Sequence, residues 1–263
     1  MRQDHRQRDD SQSAPRPGAG RTARERAREQ ITREIKEEAR RQLAAEGAQR
    51  LSLRAVAREL GMVSSALYRY FPSRDDLLTA LIIDAYDAVA ASAERADARL
   101  PRAAYRARWL ACCHSIRAWA IASPHEYALI YGSPVPGYQA PQQTIAPAAR
   151  VAILFGRVLS DAWAAPAGPT GSSRPEHGGH NIIHQNNNQL LPGLLAGQAA
   201  ALGADIGPGV PAPVIARALV AWTQLFGMIS FELFGQLVGS ADPSDDFFGF
   251  AAAQLADYVG LPQ

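Results

Sequence analysis

Residues 52–71 read Ser-Leu-Arg-Ala-Val-Ala-Arg-Glu-Leu-Gly-Met-Val-Ser-Ser-Ala-Leu-Tyr-Arg-Tyr-Phe and predict two short helices with a tight turn between them. Ser52 can cap the first helix, because its hydroxyl can accept a hydrogen bond from a free backbone N–H. Apolar residues at helical spacing give that helix one buried stripe. They are Leu53, Val56, Ala57 and Leu60.

The turn and the second helix follow directly. Gly61 can end the first helix, because glycine adopts left-handed backbone angles without steric cost. We expect Ser64 or Ser65 to cap the second helix and Pro72 to stop it, since proline cannot continue the backbone hydrogen bonding. This is the layout of a helix-turn-helix, whose second helix lies in the major groove of DNA. An ordinary helical hairpin has the same spacing, so spacing alone leaves both open.

The residues around this turn resemble the TetR family of transcriptional regulators. The resemblance rests on Gly61 and on the run Val63-Ser-Ser-Ala-Leu-Tyr-Arg-Tyr-Phe-Pro-Ser-Arg-Asp-Asp-Leu-Leu78, and it extends over about residues 29–89. It implies an all-α fold with an N-terminal three-helix DNA-binding domain and a C-terminal helical domain for effector binding and dimerisation. Residues 123–138 and 221–235 are similar to a subgroup with a WHG-type C-terminal domain. That subgroup often has histidine where this chain has Phe226, which puts in doubt any ligand contact by that side chain.

The expected organisation therefore has three parts. Residues 1–20 form a disordered basic arm, residues 21–89 the DNA-binding domain and residues 90–263 the effector-binding and dimerisation domain. Residues 166–190 lose helical periodicity and predict a flexible loop. The arginines of the arm either contact DNA or only keep a tail soluble.

The charge distribution agrees with this division. Residues 1–76 contain 17 Lys and Arg against 12 Asp and Glu, whereas residues 77–263 contain 10 against 13. The positive excess lies with the DNA-binding part, as contacts to phosphate require. We found no apolar run near the roughly 20 residues that span a bilayer, and no signal peptide. We therefore expect a cytoplasmic protein without membrane contact, and core positions for the adjacent Cys112 and Cys113.

DNA recognition is expected from the turn, the second helix and the residues flanking them. Arg69 can pair with both acceptors of a guanine, or it can contact a phosphate, which positions the protein without reading sequence. Small or aromatic neighbours can reach phosphates, base edges or a thymine methyl group. The candidates are Ser52, Arg54, Ser64, Ser65, Ala66, Tyr68, Arg69, Tyr70 and Arg74.

The effector site is expected among the middle helices of the C-terminal domain, as the resemblance implies. Aromatic residues there suggest an apolar pocket and a hydrophobic ligand, although each one could be plain core. The candidates are Trp109, Trp119, Tyr127, Tyr131, Phe155, Trp163, Trp222 and Phe226. We expect no cofactor.

The sequence also bears on two other classes of function. His177, His180 and His184 could bind zinc, nickel or copper in a metal-responsive regulator, although their spacing matches no compact site. Motifs for catalysis, such as a phosphate-binding glycine loop or a nucleophile elbow, are absent from the sequence. The sequence therefore predicts a homodimeric regulator, not an enzyme. In this prediction it is a repressor that leaves a palindromic operator when a small hydrophobic effector binds.

Overall fold

A computed structural model describes residues 22–165 and 191–262, and the long regular elements in these residues are all α-helices. The first five are α1 (Ala23–Glu46), α2 (Leu53–Glu59), α3 (Ser64–Leu67), α4 (Arg74–Asp97) and α5 (Tyr105–Ala122). The next five are α6 (Pro124–Tyr131), α7 (Ile145–Ala164), α8 (Gly193–Ile206), α9 (Ala212–Leu233) and α10 (Asp245–Tyr258). The all-α prediction is confirmed. The predicted arm, the loop at 166–190 and its three histidines lie outside the described residues.

Local signals set several helix ends, and those at Ser52 and Gly61 are as the sequence predicts. The Ser52 hydroxyl accepts from the backbone N–H of Ala55 at 3.4 Å and caps α2. The Ser73 hydroxyl does the same for α4, accepting from the N–H of Asp76 at 3.1 Å. Gly61 has φ of +64°, the left-handed region that favours glycine, so it can turn the chain between α2 and α3.

The second helix of the turn is shorter than predicted. Val63 occupies the cap position of α3 and no side chain caps it, so the expected capping by Ser64 or Ser65 is wrong. The helix ends at Leu67 and not at Pro72, because the backbone tightens there. The N–H of Tyr70 bonds the carbonyl of Leu67, only three residues back, at 2.8 Å.

Two separate hydrophobic clusters hold the described residues together. The first cluster contains residues of α1, α2, α3 and α4, including Ile35, Val56, Leu67, Leu77 and Leu81. The other joins the C-terminal half of α4 to α5–α10 and includes Val89, Ile116, Leu159, Leu225 and Phe248. Both clusters draw on α4, so this helix connects the two cores.

The second cluster encloses the predicted core cysteines and much of α9. Cys112 and Cys113 are buried free thiols, as expected. By length and composition, α9 is apolar enough to cross a membrane, contrary to the expectation that no apolar run comes near that length. Its Leu225 and Ile229 pack in the second cluster, as expected for the core helix of a helical domain.

Candidate DNA-binding surface and effector cavity

The helix-turn-helix is held by its apolar side and leaves its polar side outward. Leu53, Val56 and Leu67 are buried against α1 and α4. Most of the predicted DNA-reading side chains on α3 and the turn after it are exposed, whereas Ala66 and Tyr70 are partly buried. The exposed ones are Ser64, Ser65, Tyr68 and Arg69. The fold therefore presents hydroxyl, phenol and guanidinium groups together on one accessible surface.

Tyr70 is fixed by a contact that sequence reasoning missed. The guanidinium of Arg28, on α1, lies over the Tyr70 ring with 5.5 Å between its carbon and the ring centroid. Such a cation–π contact is worth about 0.5–1 kcal/mol at an exposed site. It ties the turn after α3 to α1.

The flanking candidates have different surroundings. Arg54 is exposed at the start of α2, and Ser52 is partly buried at its cap. The Arg74 guanidinium donates to the carbonyls of Leu51 and Ala48, at 3.1 and 2.8 Å. These bonds give Arg74 a role in holding the chain before α2, which the sequence did not indicate. Its predicted phosphate contact stays a prediction.

Three of the predicted effector residues line one cavity of about 170 Å³. Trp109, Phe155 and Trp222 come from α5, α7 and α9 and meet there. Every other lining residue is also apolar, and sequence reasoning named none of them. They are Ala152, Gly156, Leu159, Leu202, Ile206, Ile215, Ala218, Leu219, Ala221 and Leu225. Helical periodicity does not show which apolar positions surround a cavity.

Helix α8 closes one wall of the cavity by packing very near α7. A Cβ added to Gly156 would lie 1.8 Å from the carbonyl oxygen of Ile206, so only glycine fits at this approach. Helix α8 was not among the elements expected from the sequence. The helix exists, and its Leu202 and Ile206 reach the cavity.

The other predicted effector residues lie outside this cavity. Phe226 stacks between Trp222 and Tyr131, with ring centroids 4.6 and 4.1 Å apart. Tyr127 continues the row, 5.2 Å from Tyr131. An aromatic row, Trp222–Phe226–Tyr131–Tyr127, thus connects the cavity wall on α9 to α6. Trp119 and Trp163 are partly buried and pack against the second cluster without lining the cavity.

Helix α6 forms side-chain hydrogen bonds to both α9 and α1. The Tyr127 hydroxyl, which is fully buried, lies 2.8 Å from the carbonyl of Phe226 and 2.8 Å from the Ser230 hydroxyl, both on α9. The neighbouring Glu126 accepts from Arg40, on α1, at 2.9 Å. Helix α6 therefore links the first cluster to the helix that carries Trp222.

Helix α4 is also bonded to both halves. Asp84 accepts from Lys36 and Arg40, both on α1, at 2.8 and 2.6 Å. One turn later, Asp87 accepts from Arg150, on α7, at 2.6 Å. The ion-pair partner of α4 therefore changes from α1 to α7 within a single helical turn.

The far end of α4 is anchored by a buried arginine. Arg108 donates to Asp97 of α4 at 2.6 Å and to Asp161 of α7 at 2.8 Å. Burial favours a raised pKa for the Asp161 carboxyl, but the hydrogen bonds from Arg108 and Arg102 outweigh burial and hold its pKa below the usual value. Asp161 is therefore stabilised in its charged form.

Several apolar side chains of α9 and α10 are exposed. Phe250 is 65% exposed and Phe231 is 56% exposed, although both lie in well-packed helices. Further exposed apolar residues on these helices are Leu219, Val220, Phe247 and Tyr258. Within the described ranges, residues 22–165 and 191–262, no group of three or more His, Cys, Asp or Glu residues could hold a metal.

Comparisons with known proteins agree with this architecture. Residues 35–81 match the family model for bacterial regulatory proteins of the tetR family, and residues 109–255 match a tetracyclin repressor-like C-terminal domain. The HTH-type transcriptional regulators Rv1816 of Mycobacterium tuberculosis and Mb1846 of Mycobacterium bovis are each 39% identical over 211 residues. That match covers 80% of this chain and 83% of each relative.

Two solved structures have the same fold over nearly the whole chain. The crystal structure of SCO4313 has 35% sequence identity and a TM-score of 0.65, and the match covers 90% of this chain and 100% of that one. A Rhodococcus sp. RHA1 protein of unknown function has 26% identity and a TM-score of 0.60, with 89% and 96% covered.

Proposed function

This chain belongs to the TetR family of transcriptional regulators, and from this membership we propose that it is a repressor released from a palindromic operator by a small hydrophobic effector. The observation that carries the proposal is the apolar cavity at Trp109, Phe155 and Trp222, because α9 and α6 connect it to the DNA-binding half. A repressor of this kind works in the cytoplasm, where it meets its operator.

DNA recognition in this proposal belongs to residues 21–89. Exposed Ser64, Ser65 and Arg69 are the side chains that would enter the major groove, since hydroxyl and guanidinium groups can reach base edges. Tyr68, Tyr70 and the residues flanking α2 would contact phosphates and fix the position of α3. The arm at residues 1–20 would add sequence-independent contacts.

Dimerisation in this proposal belongs to α9 and α10. Their exposed aromatic residues, Phe231 and Phe250, support a self-complementary interface, because covering exposed apolar surface is favourable. A two-fold axis through this face would present two copies of α3 to one duplex. Two half-sites in opposite orientation form a palindrome, so the operator follows from the symmetry.

Effector release would depend on α6. A ligand in the cavity contacts Trp222, and the aromatic row from Trp222 to Tyr127 reaches α6, where Glu126 contacts Arg40 of α1. A ligand shifts DNA affinity only by its difference in affinity for the two arrangements, typically about 1–3 kcal/mol.

The test is fluorescence anisotropy of the full chain on DNA from upstream of its own gene, against scrambled DNA, over a salt series. We expect saturable binding to the first DNA that weakens steeply with salt, because phosphate contacts release counterions. Addition of a cavity ligand should then lower the affinity. A ligand that binds the protein and leaves DNA affinity unchanged would contradict the release mechanism.

A further inference from the structure

The cavity offers no partner for a charged ligand. The side chains that line it are all apolar, and no charged residue is among them. Transfer of an unpaired charge into such surroundings is strongly unfavourable. A molecule that binds here therefore enters uncharged.

One polar group in the cavity wall lacks a partner. Trp109 is 3% exposed and lines the cavity, yet its indole N–H donates to no acceptor in the described part of the chain. Buried donors are nearly always paired, and an unpaired one costs about 1–3 kcal/mol. Apart from the second tryptophan, Trp222, the other lining side chains have no hydrogen-bonding group, so the unpaired Trp109 donor is a specific feature of this site.

We infer that the effector is a small uncharged molecule, mainly apolar, with one hydrogen-bond acceptor that takes the indole N–H of Trp109. This inference rests on the proposed role of the cavity as the effector site. An aromatic ketone, aldehyde or ether has this chemistry. A pure hydrocarbon fills the same space but leaves the N–H unpaired, whereas a carboxylate or an amine brings an unpaired charge.

The dimensions limit the size of the ligand. An apolar cavity of about 150 Å³ is large enough to bind benzene, and this one has about 170 Å³. The Trp109 and Phe155 rings pack against each other, with 4.5 Å between their centroids, and both line the cavity, so a ligand there would contact aromatic side chains. The indole nitrogen has no water-accessible surface in this fold, so the hydrogen bond forms only if the Trp109 ring turns as the ligand enters.

The experiment compares two ligands of nearly the same shape, acetophenone and cumene, in which a carbonyl oxygen replaces a methyl group. Isothermal titration calorimetry on the full chain gives both Kd values, and the same measurement is made on Trp109→Phe. Cumene is the more hydrophobic ligand, so the informative quantity is the ratio of the two Kd values. We expect Trp109→Phe to shift this ratio against acetophenone by about three- to tenfold, as the loss of one hydrogen bond requires.

The matched control is Trp119→Phe, which removes an indole N–H from the same helix away from the cavity and should leave the ratio unchanged. If both ligands bind and Trp109→Phe leaves the ratio unchanged, the acceptor inference is wrong while the cavity remains the ligand site. If neither ligand binds to the unmodified protein, the effector-site proposal fails and the inference fails with it.

A second measurement does not depend on the variant folding. The chain has four tryptophans, so 15N labelling of indole gives four N–H signals in an NMR spectrum, assigned by single Trp→Phe changes at the other three positions. Acetophenone should move the Trp109 signal downfield, in the direction of a stronger hydrogen bond, and cumene should not. Equal shifts with both ligands would overturn the inference.

Discussion

Glu126 and Tyr127 are consecutive residues of α6 that are bonded to opposite neighbours. Glu126 accepts from Arg40 of α1 at 2.9 Å, and the Tyr127 hydroxyl reaches the Phe226 carbonyl of α9 at 2.8 Å. Successive side chains on a helix point in different directions, so one short helix can contact both halves of the chain. A movement of α9 relative to α1 has to be accommodated in α6.

Glu126→Gln should weaken this connection while the fold persists. Both partners are partly exposed, so the ion pair adds at most about 1 kcal/mol to the free energy of unfolding. We expect the drop in operator affinity caused by acetophenone to shrink by about 0.5–2 kcal/mol of coupling, measured by anisotropy. The control is Glu37→Gln, which removes an exposed charge from α1. An unchanged drop in both variants would show that α6 does not transmit the signal.

Arg69→Ala tests the reading surface. If Arg69 reads a base, the affinity for the operator falls by about 1–3 kcal/mol and the affinity for scrambled DNA stays. An equal fall on both DNAs identifies a phosphate contact. Arg95 is exposed in the C-terminal half of α4, so Arg95→Ala should change neither affinity. If Arg69→Ala lowers neither DNA affinity, Arg69 does not contact DNA.

Phe250→Asp should turn a dimer into a monomer. A charge in the middle of an apolar interface has no partner there and is costly to bury. The measurement is the molar mass in solution by light scattering, over a range of protein concentrations. The control is Leu194→Asp on α8, an even more exposed apolar residue outside the α9–α10 face. A monomeric unmodified protein, or dissociation in both variants, would contradict the proposed interface.

Gly156→Ala should strongly destabilise the protein. The added methyl group would lie 1.8 Å from the Ile206 carbonyl oxygen, so α8 has to move away from α7. We expect a loss of about 1–3 kcal/mol or more in the free energy of unfolding by chemical denaturation, and weaker ligand binding because Ile206 lines the cavity. Gly197→Ala on α8 meets no atom within 4 Å and should be neutral or stabilising by up to about 1 kcal/mol. Equal stability of the two variants would contradict the close approach.

Asp161→Asn should change how stability depends on pH. Because the pKa of Asp161 is held below its usual value of 3.8 in the fold, its charged form favours the folded state above that pH. This contribution is lost as the pH falls through the lowered folded-state pKa. The variant should therefore be less stable than the unmodified protein at pH 7, and the difference should narrow at pH 3. The exposed Asp205→Asn is the control, and a difference that does not vary with pH would contradict the assignment.

The helical architecture could be predicted from the sequence because its signals are local. Ser52, Gly61 and Ser73 act on their own helix ends, and the apolar stripes need only helical periodicity. The exposed face of α3 then follows from the burial of Leu67. Local signals failed for the length of α3, because three-residue backbone bonds tighten the chain after Leu67.

The contacts between helices could not be predicted, because they join residues far apart in the chain. Arg40 and Glu126 are 86 positions apart, and no spacing rule connects them. The same reason explains the cavity. Aromatic residues identified three of its walls, but Gly156 and Ile206 come together only when α7 and α8 pack. The sequence was also incomplete for Arg74. Its basic charge predicted a phosphate contact, but nothing in the sequence indicated its hydrogen bonds to backbone carbonyls.

The change of partner between Asp84 and Asp87 has a consequence for engineering this protein. A hybrid regulator could join the DNA-binding domain of this chain to the effector-binding domain of another regulator. The simplest place for the junction is inside α4. A cut between these two residues keeps Asp84 with Lys36 and Arg40, and Asp87 with Arg150. The graft then separates the ion pair of Arg40 with Glu126 and the hydrogen bond of Thr79 with Tyr138. A hybrid that has an acidic residue opposite Arg40 should still release DNA when its effector binds. A hybrid without that acidic residue should bind DNA whether or not its effector is present.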